Sequence, residues 1–222
     1  MRKPVVDYRE FRLSKLNTPQ FSHLRLLLGW VVYFALYFLT ENLIPVEKCH
    51  VVHIGLDDVI PFCEWFLLPY VFWYLLIVFS LGYFALYDVE SFKKLQTYIM
   101  ITQFVAMAVY IIYPNCQDLR PAVFPRDNFL TDCIGLIYAF DTNTGVCPSL
   151  HCAYSIAIAS VWVRAKDTSW LWKAFTVFAA VLICLSTMFI KQHSSADFFA
   201  ALPVCILAEI LVFGVFYRKK SE

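Results

Sequence analysis

The fold is decided by residues 66–87, which read FLLPYVFWYLLIVFSLGYFALY and contain no charged side chain. About 20 consecutive, mostly apolar residues are enough to cross the hydrocarbon core of a bilayer as one α-helix. The composition of the whole chain agrees with this reading, since 60% of its 222 residues are hydrophobic, whereas soluble domains are nearer half apolar. The stretch therefore predicts a helix that spans a membrane.

Five further apolar runs flank this one, and one of them is shorter than the others. They cover residues 26–43, 98–113, 150–163, 171–190 and 198–217. We therefore predict an all-α, polytopic membrane protein, a bundle of six transmembrane helices that forms a single domain over residues 1–222. A polar lead, residues 1–23, precedes the first helix, and a long outer loop, residues 114–148, is expected to carry part of the functional site.

Lysine and arginine are distributed unevenly between the two sides of this arrangement. The side of both termini carries 14 of the 18 residues, and the other side carries Lys48, Arg120, Arg126 and Lys191. Cytoplasmic loops are enriched in these cations. The sequence thus predicts a multi-pass protein of the cell membrane with cytoplasmic termini. The net charge of +1 gives no indication of nucleic-acid binding, and the polar first 22 residues do not resemble a cleavable signal peptide.

Three polar clusters fall at the outer ends of the predicted helices, at residues 120–121, 147–151 and 191–197. An even number of crossings separates the second from the third, so the clusters can share one site. His193 and Asp197 are four residues apart, a spacing that places two side chains on one helix face. A carboxylate that orients one imidazole nitrogen leaves the other free as a nucleophile. We predict these roles for Asp197 and His193.

Four more residues complete the predicted site. His151 is suited to protonate a leaving alcohol, because histidine titrates near neutral pH. Ser149, at the start of a helix, is expected to hold phosphate oxygens with nearby N–H groups. Arg120 offers a bidentate fork for phosphate, and Lys191 offers a point charge. No cofactor and no metal site is expected, because the spacings of cysteine and histidine match no compact ligand motif.

The chain resembles the type 2 phosphatidic acid phosphatase superfamily in its motifs. The matching residues are Arg120-Pro121, Pro148-Ser149-Leu150-His151, and Ser186-Thr187 followed by His193 and Asp197. The resemblance implies a six-span, metal-independent lipid phosphatase or phosphotransferase with its active site at the outer leaflet. It also implies that His193 forms a phosphohistidine, that Asp197 orients it, and that His151 protonates the leaving group.

Three positions depart from the pattern of that superfamily. Tyr113 stands where the first signature has a lysine, Leu150 where the second has a glycine, and Thr187 where the third has an arginine. Two expected cations are therefore missing, and Lys191 is a candidate replacement for one. The forms Pro148-Ser149-Leu150-His151 and Lys191-Gln192-His193 resemble a divergent branch, similar to the one that includes inositol phosphorylceramide synthases.

Three functions stay open at this point. In the first, a lipid phosphate in the bilayer is the substrate, and water hydrolyses the phosphohistidine. In the second, a lipid hydroxyl replaces water, as in inositol phosphorylceramide or sphingomyelin synthases. The third is a non-enzymatic lipid-binding or transport protein, which the missing cations favour. The oligomeric state cannot be inferred from the sequence.

Several charged residues and cysteines lie outside the predicted site. We interpret Arg126 and Lys48 as surface charges. Asp141, within a stretch rich in turn-forming residues, is interpreted as part of a loop turn, with a place in the site as the alternative. Six of the eight cysteines lie in or near outer segments, where disulfides are permitted, but their pairing cannot be read from the sequence. They are Cys49, Cys63, Cys116, Cys133, Cys147 and Cys152.

Overall fold

The structure, a computed structural model, describes residues 3–218, so Arg2, Lys219 and Lys220 of the charge count lie outside it. The α-helices of this range are α1 (Leu28–Leu43), α2 (Leu56–Val59), α3 (Leu67–Tyr87), α4 (Val89–Ile112), α5 (Phe129–Phe140), α6 (Leu150–Arg164), α7 (Trp170–Phe189) and α8 (Ser195–Glu209). Two 3-10 turns, Ser22–Leu27 and Glu64–Phe66, lead into α1 and α3, and a π-helix, Ile210–Phe216, continues α8.

Five helical segments of the described range are long and apolar enough to cross a membrane. They are Ser22–Leu43, Glu64–Tyr87, Val89–Ile112, Trp170–Phe189 and Ser195–Phe216. The prediction of an all-α membrane protein is confirmed at this level. Helix α6 has 15 residues, which corresponds to about 22 Å at 1.5 Å per residue. Because α6 is shorter than the five, the count of six spans stays a prediction.

Helix α6 is nevertheless central to the packing. It contacts α4 and α7 over most of its length, and Ala157 and Ile158 on its buried faces are inaccessible to solvent. Near its end, Trp162 Nε1 donates a hydrogen bond to Ser80 Oγ of α3 (3.0 Å). Alanines on such faces allow neighbouring backbones to approach closely. Helix α1 differs, since none of its residues is buried and it packs mainly on α4.

The charged residues after α3 belong to α4, although they lie before the apolar run, residues 98–113, that predicted this helix. Asp88 caps α4 by accepting hydrogen bonds from the Ser91 N–H (3.1 Å) and hydroxyl (2.7 Å). One turn further on, Lys94 Nζ pairs with Glu90 Oε1. Polar residues suit the first turn of a capped helix as well as they suit a loop, which explains the error.

Helix α5 lies inside the predicted outer loop, which was expected to be irregular. Asn128 and Thr131 form a capping box at its start, and Ile134 is fully buried against Tyr70 of α3. Its 12 residues are too few to cross a bilayer, so hydropathy did not single them out. Arg126, interpreted as a surface charge, binds the buried Glu64 carboxylate through two bonds of 2.6 Å, which joins α5 to α3.

The described residues near both termini lie at the same end of the bundle. Val5 N–H donates to Leu86 O and the Tyr8 hydroxyl to Ala85 O, each at 2.8 Å, where α3 ends. The Tyr217 hydroxyl hydrogen bonds with Thr97 near the start of α4 (3.0 Å). The end of α6 also lies here, because Trp162 contacts Ser80 in the second half of α3. The start of α6, which carries His151, therefore lies at the opposite end.

Asn115 organises the loops at that opposite end. It belongs to strand β2 (Asn115–Cys116), which pairs in parallel with β1 (His50–Val51). Its side-chain oxygen accepts hydrogen bonds from the N–H groups of Val146 (2.9 Å) and Cys147 (2.8 Å), and its amide donates to Cys147 O (3.0 Å). This buried side chain thus fixes the segment that leads into α6.

Replacement of Asn115 by alanine is expected to lower the free energy of unfolding by about 2–4 kcal/mol, because it leaves two buried N–H groups without an acceptor. Thermal unfolding in detergent, followed by circular dichroism, measures this effect. The control is Asn42→Ala, since Asn42 is exposed and its side chain donates only to Phe38 O of its own helix. Equal midpoints for the two variants would contradict the prediction.

Candidate active site

His193 and Asp197 meet through the capped start of α8. Ser194 is the N-cap, and its N–H donates to Asp197 Oδ2 (3.0 Å). The same oxygen accepts a hydrogen bond from His193 Nδ1 at 3.0 Å. His193 precedes the helix, so the pair is joined by the geometry of a capping box and not by helical spacing. Because a carboxylate only accepts, Nδ1 carries the hydrogen and Nε2 keeps its lone pair.

His151 continues this chain of hydrogen bonds. Its Nδ1 lies 3.3 Å from His193 Nε2. Its ring stacks on Tyr70, with centroids 4.8 Å apart, and lies 4.2 Å from the ring of Trp73. Its Nε2 is buried and has no hydrogen-bond partner among residues 3–218. The structure therefore brings the three predicted catalytic residues together as the chain Asp197–His193–His151.

The environment of His193 favours its protonated form. Burial acts to lower the pKa of this imidazole, but the hydrogen bond and the charge of Asp197 outweigh burial, and the net effect raises the pKa above its usual 6.5. The stability that protonated His193 contributes is therefore complete below pH 6.5. It is lost as the pH rises through the raised pKa of the folded state.

Ser149 lies beside the pair, and its polar groups are already engaged. It is the N-cap of α6, where its hydroxyl oxygen accepts a hydrogen bond from Cys152 N–H (3.4 Å). Its own N–H donates to the backbone oxygen of Asp197 (3.1 Å), which ties the start of α6 to that of α8. Phosphate binding by Ser149 stays a prediction.

Arg120 caps the end of α5. Its guanidinium donates to the backbone oxygens of Tyr138 (3.0 Å), Asp141 (2.9 Å) and Thr142 (2.9 Å), and to Gln192 Oε1 (2.6 Å). A cation at a helix C-terminus stabilises the unpaired carbonyls there. Its Nε is buried and has no hydrogen-bond partner in the described part of the chain. The Nε hydrogen and the second Nη1 hydrogen are left for the predicted phosphate contact.

Lys191 is turned toward the outer loop before α3. Its Nζ donates to the backbone oxygens of Asp57 (3.0 Å) and Ile60 (2.6 Å). Burial lowers the pKa of its ammonium group, and the nearby carboxylates of Asp57 and Asp58 oppose this effect. Lys191 is close to His193 in the sequence, but its ammonium group is bound to backbone oxygens of the loop around α2. Its role toward phosphate stays a prediction.

Asp57 was missed by the sequence analysis, although it holds the segment around His193. Its Oδ1 accepts hydrogen bonds from the N–H (2.6 Å) and hydroxyl (2.7 Å) of Ser195, and its Oδ2 accepts one from the Ser194 hydroxyl (2.5 Å). Burial acts to raise the pKa of this carboxyl, but these bonds hold it below its usual value. No local pattern links residue 57 to residue 194, so the sequence offered no signal.

A cavity of about 770 Å³ lies between α1 and α3 and ends at the two histidines. Its walls are mainly aromatic and apolar, with Trp30, Tyr33, Phe34 and Tyr37 from α1 facing Trp73 and Tyr74 from α3. Its polar end is formed by His151, His193, Gln192 and Asp141. The cavity thus has the imidazoles of His151 and His193 at one end of an aromatic-lined chamber.

Asp141 and Gln192 are site residues that the sequence analysis did not assign. Asp141 was interpreted as a turn residue, with a place in the site as the alternative, and it lines the cavity at the end of α5. Gln192 Nε2 donates to Asp141 Oδ2 (3.2 Å) and to the Tyr70 hydroxyl (3.5 Å). Burial raises the pKa of Asp141, although the charges of His193 and Arg120 reduce the shift. The stretch around Asp141 looked like an ordinary turn, which hid this role.

The cysteines and metal-binding residue types form no further centre within residues 3–218. All eight cysteines are free thiols, including the six for which disulfides were considered. No group of three or more histidine, cysteine, aspartate or glutamate side chains in this range is arranged to hold a metal ion.

A scan against protein-family models, a search of curated proteins and a search of solved structures each found no match for this chain. The resemblance to the type 2 phosphatidic acid phosphatase superfamily therefore rests on the motif residues alone and stays a prediction. The functional argument below depends on the geometry of the site.

Replacement of Asp197 by asparagine is expected to lower the pKa of His193 by about one unit or more, because an amide supplies no negative charge. Titration of ¹⁵N-labelled histidine resonances in detergent measures this pKa. The control is Asp58→Asn, which removes a carboxylate paired with the partly exposed His53 (2.9 Å). An unchanged His193 titration in Asp197→Asn would show that the carboxylate does not set this ionisation.

Proposed function

We propose that the protein is a membrane-embedded phosphatase that hydrolyses the phosphoester of a lipid phosphate through a phosphohistidine at His193. One observation supports this proposal above the others: the Asp197–His193–His151 chain ends in the aromatic-lined cavity between α1 and α3. Ligand sites combine apolar walls with a few placed polar groups. A lipid phosphate has the same two parts, an apolar chain and a polar group at one end.

In the first half-reaction, neutral His193 attacks phosphorus through the Nε2 lone pair, while Asp197 accepts the Nδ1 hydrogen. The bond from phosphorus to the ester oxygen breaks as the new nitrogen–phosphorus bond forms. Protonated His151 gives its proton to the departing oxygen, which leaves as the lipid alcohol. The carboxylate of Asp197 stabilises the positive charge that develops on His193.

In the second half-reaction, water attacks the phosphohistidine. Neutral His151 takes a proton from the water as its oxygen bonds to phosphorus. The nitrogen–phosphorus bond breaks, and its electron pair returns to Nε2 of His193. Inorganic phosphate leaves, and His151 is again protonated for the next cycle. His151 acts as an acid in the first step and as a base in the second, because the second step is the reverse of the first with water in place of the lipid alcohol.

The distance between the two imidazoles fits this alternation. At 3.3 Å, His151 Nδ1 and His193 Nε2 are within reach of a shared proton. A phosphoryl group that binds Nε2 takes the place of this contact, so the His151 N–H faces the phosphoryl oxygens. The aromatic stack with Tyr70 and Trp73 keeps the His151 ring in position meanwhile.

We also propose that α6 is a sixth membrane crossing and that the histidines face the outside. The described terminal residues lie at the end of the bundle opposite the histidines. The loops of that end, with both termini, carry 14 of the 18 lysines and arginines, and cytoplasmic loops are enriched in these residues. The shortness of α6 accords with a start just below the outer surface.

For the enzymatic proposal, His193→Ala is expected to reduce phosphate release from lipid phosphates by roughly 10³-fold or more, because the nucleophile is removed. His151→Ala is expected to lose about 10²- to 10⁴-fold, as for removal of a general acid. Release is measured with purified protein in detergent and EDTA, without an acceptor lipid. His53→Ala, at a partly exposed outer histidine, is the matched control and should leave activity unchanged.

Two outcomes would overturn the proposal as stated. Phosphate release by His193→Ala equal to that of the wild type would exclude His193 as the nucleophile. A strict requirement for an added lipid alcohol, with transfer of the phosphoryl group to it, would make the protein a phosphotransferase. Hydrolysis that continues in EDTA is expected, because the mechanism uses no metal ion.

For the orientation, cysteines introduced at opposite ends of the bundle are expected to differ in their reaction with an impermeant maleimide. Asp118→Cys, in the exposed loop after β2, should react in intact cells, whereas Lys166→Cys, between α6 and α7, should react only after the membrane is opened. The wild type, labelled in parallel, gives the background of its own thiols. The reverse pattern would invert the proposed topology.

A further inference from the structure

The carboxylate of Asp141 occupies the polar end of the cavity together with His193. Within the described chain it has no ion-pair partner at salt-bridge distance. The cations predicted to bind phosphate are engaged elsewhere, since Arg120 donates to backbone oxygens and to Gln192, and Lys191 donates to the loop around α2. The cavity therefore presents a carboxylate beside its nucleophile.

Gln192 fixes the orientation of this carboxylate. Arg120 donates to Gln192 Oε1 at 2.6 Å, which leaves the Nε2 side of the amide to face Asp141 Oδ2 at 3.2 Å. An amide held by a guanidinium on one side and a carboxylate on the other has only one satisfied orientation. Asp141 is thus held in place by a chain of polar contacts as well as by the end of α5.

A substrate that fills the cavity must offset the cost of removing water from the Asp141 carboxylate. Its apolar part expels water from the aromatic walls. Gln192 Nε2 supplies a donor to Oδ2 alone, and a carboxylate that loses water from its other lone pairs without gaining a donor there is costly. The phosphate adds a second negative charge nearby, which increases this cost. A hydrogen-bond donor on the substrate offsets it, and a site built for such a donor rejects analogues that lack one.

We propose that Asp141 is a specificity-determining residue, which accepts a hydrogen bond from a hydroxyl or ammonium group close to the phosphate of the lipid. This inference rests on the proposed phosphatase function. It names the substrate class: lipid monophosphates whose carbon next to the phosphate-bearing one carries a donor. Plain alkyl or prenyl phosphates fall outside this class. The cavity volume, about 770 Å³, lies within the range of sites that enclose a single small molecule.

The test compares three lipid phosphates of similar chain length in purified wild-type protein. Hexadecyl phosphate has no donor, a 1-acylglycerol 3-phosphate has one hydroxyl, and sphinganine 1-phosphate has a hydroxyl and an ammonium. We expect kcat/KM for the two donor lipids to exceed that for hexadecyl phosphate by about tenfold or more. N-acetylated sphinganine 1-phosphate removes the positive charge but keeps an N–H donor, so it shows whether Asp141 needs the charge of the ammonium or only its hydrogen bond.

Asp141→Asn is expected to bring the ratio of kcat/KM between donor lipids and hexadecyl phosphate toward one, mainly because KM rises more for the donor lipids than for hexadecyl phosphate. Asp132→Asn is the matched control, since it makes the same change at an exposed position of α5. Asp141→Glu keeps the charge and is expected to keep part of the preference. Elution as a single species in detergent shows that each variant has folded.

Equal turnover of all three lipids by the wild type would overturn the inference, and so would an unchanged preference in folded Asp141→Asn. If that variant does not fold, the wild-type preference and the Asp141→Glu variant decide. If the wild type hydrolyses none of the lipids, the proposed function fails. The inference is then judged by binding of the same lipids, measured through the fluorescence of Trp30 and Trp73 in the cavity wall.

Discussion

The carboxylate of Asp197 accepts hydrogen bonds from the Ser194 N–H and from His193 Nδ1, and it is fully buried. The first bond caps α8, and the second orients the imidazole. One side chain therefore joins the start of α8 to His193, the candidate nucleophile. Both bonds are to Oδ2, and the buried Oδ1 has no hydrogen-bond partner among residues 3–218. Because a buried carboxylate depends on such donors, the geometry of His193 is inseparable from the folding of the start of α8.

The end of the bundle that holds the histidines follows the same constraint more widely. Buried backbone groups need partners, and long polar side chains from distant loops supply them. Asn115 holds the segment before α6, Arg120 holds the end of α5, and Asp57 holds the start of α8. Arg120, which the sequence motif predicts to bind phosphate, is in this way also a structural support of a loop beside the histidines.

The sequence predicted the features that depend on local composition. Apolar runs located α3 and the other long helices, and the paired histidines were found because their clusters fall at the same ends of predicted helices. The start of α4 and helix α5 were not predicted, since capping residues resemble loop residues in composition. Asp57 and Asp141 were not assigned to the site because their contacts with residues 192–195 join segments more than 50 positions apart. Single-sequence patterns carry no record of such pairings.

Helix α1 forms one wall of the cavity and has no buried residue of its own. Its outer surface must be completed by the acyl chains of the surrounding lipid, which makes the bilayer a component of that wall. A lipid that enters between α1 and α3 therefore diffuses in two dimensions and never passes through water. For such a site, the quantity that governs occupancy is the mole fraction of the lipid in one leaflet, and dilution of the aqueous phase leaves it unchanged.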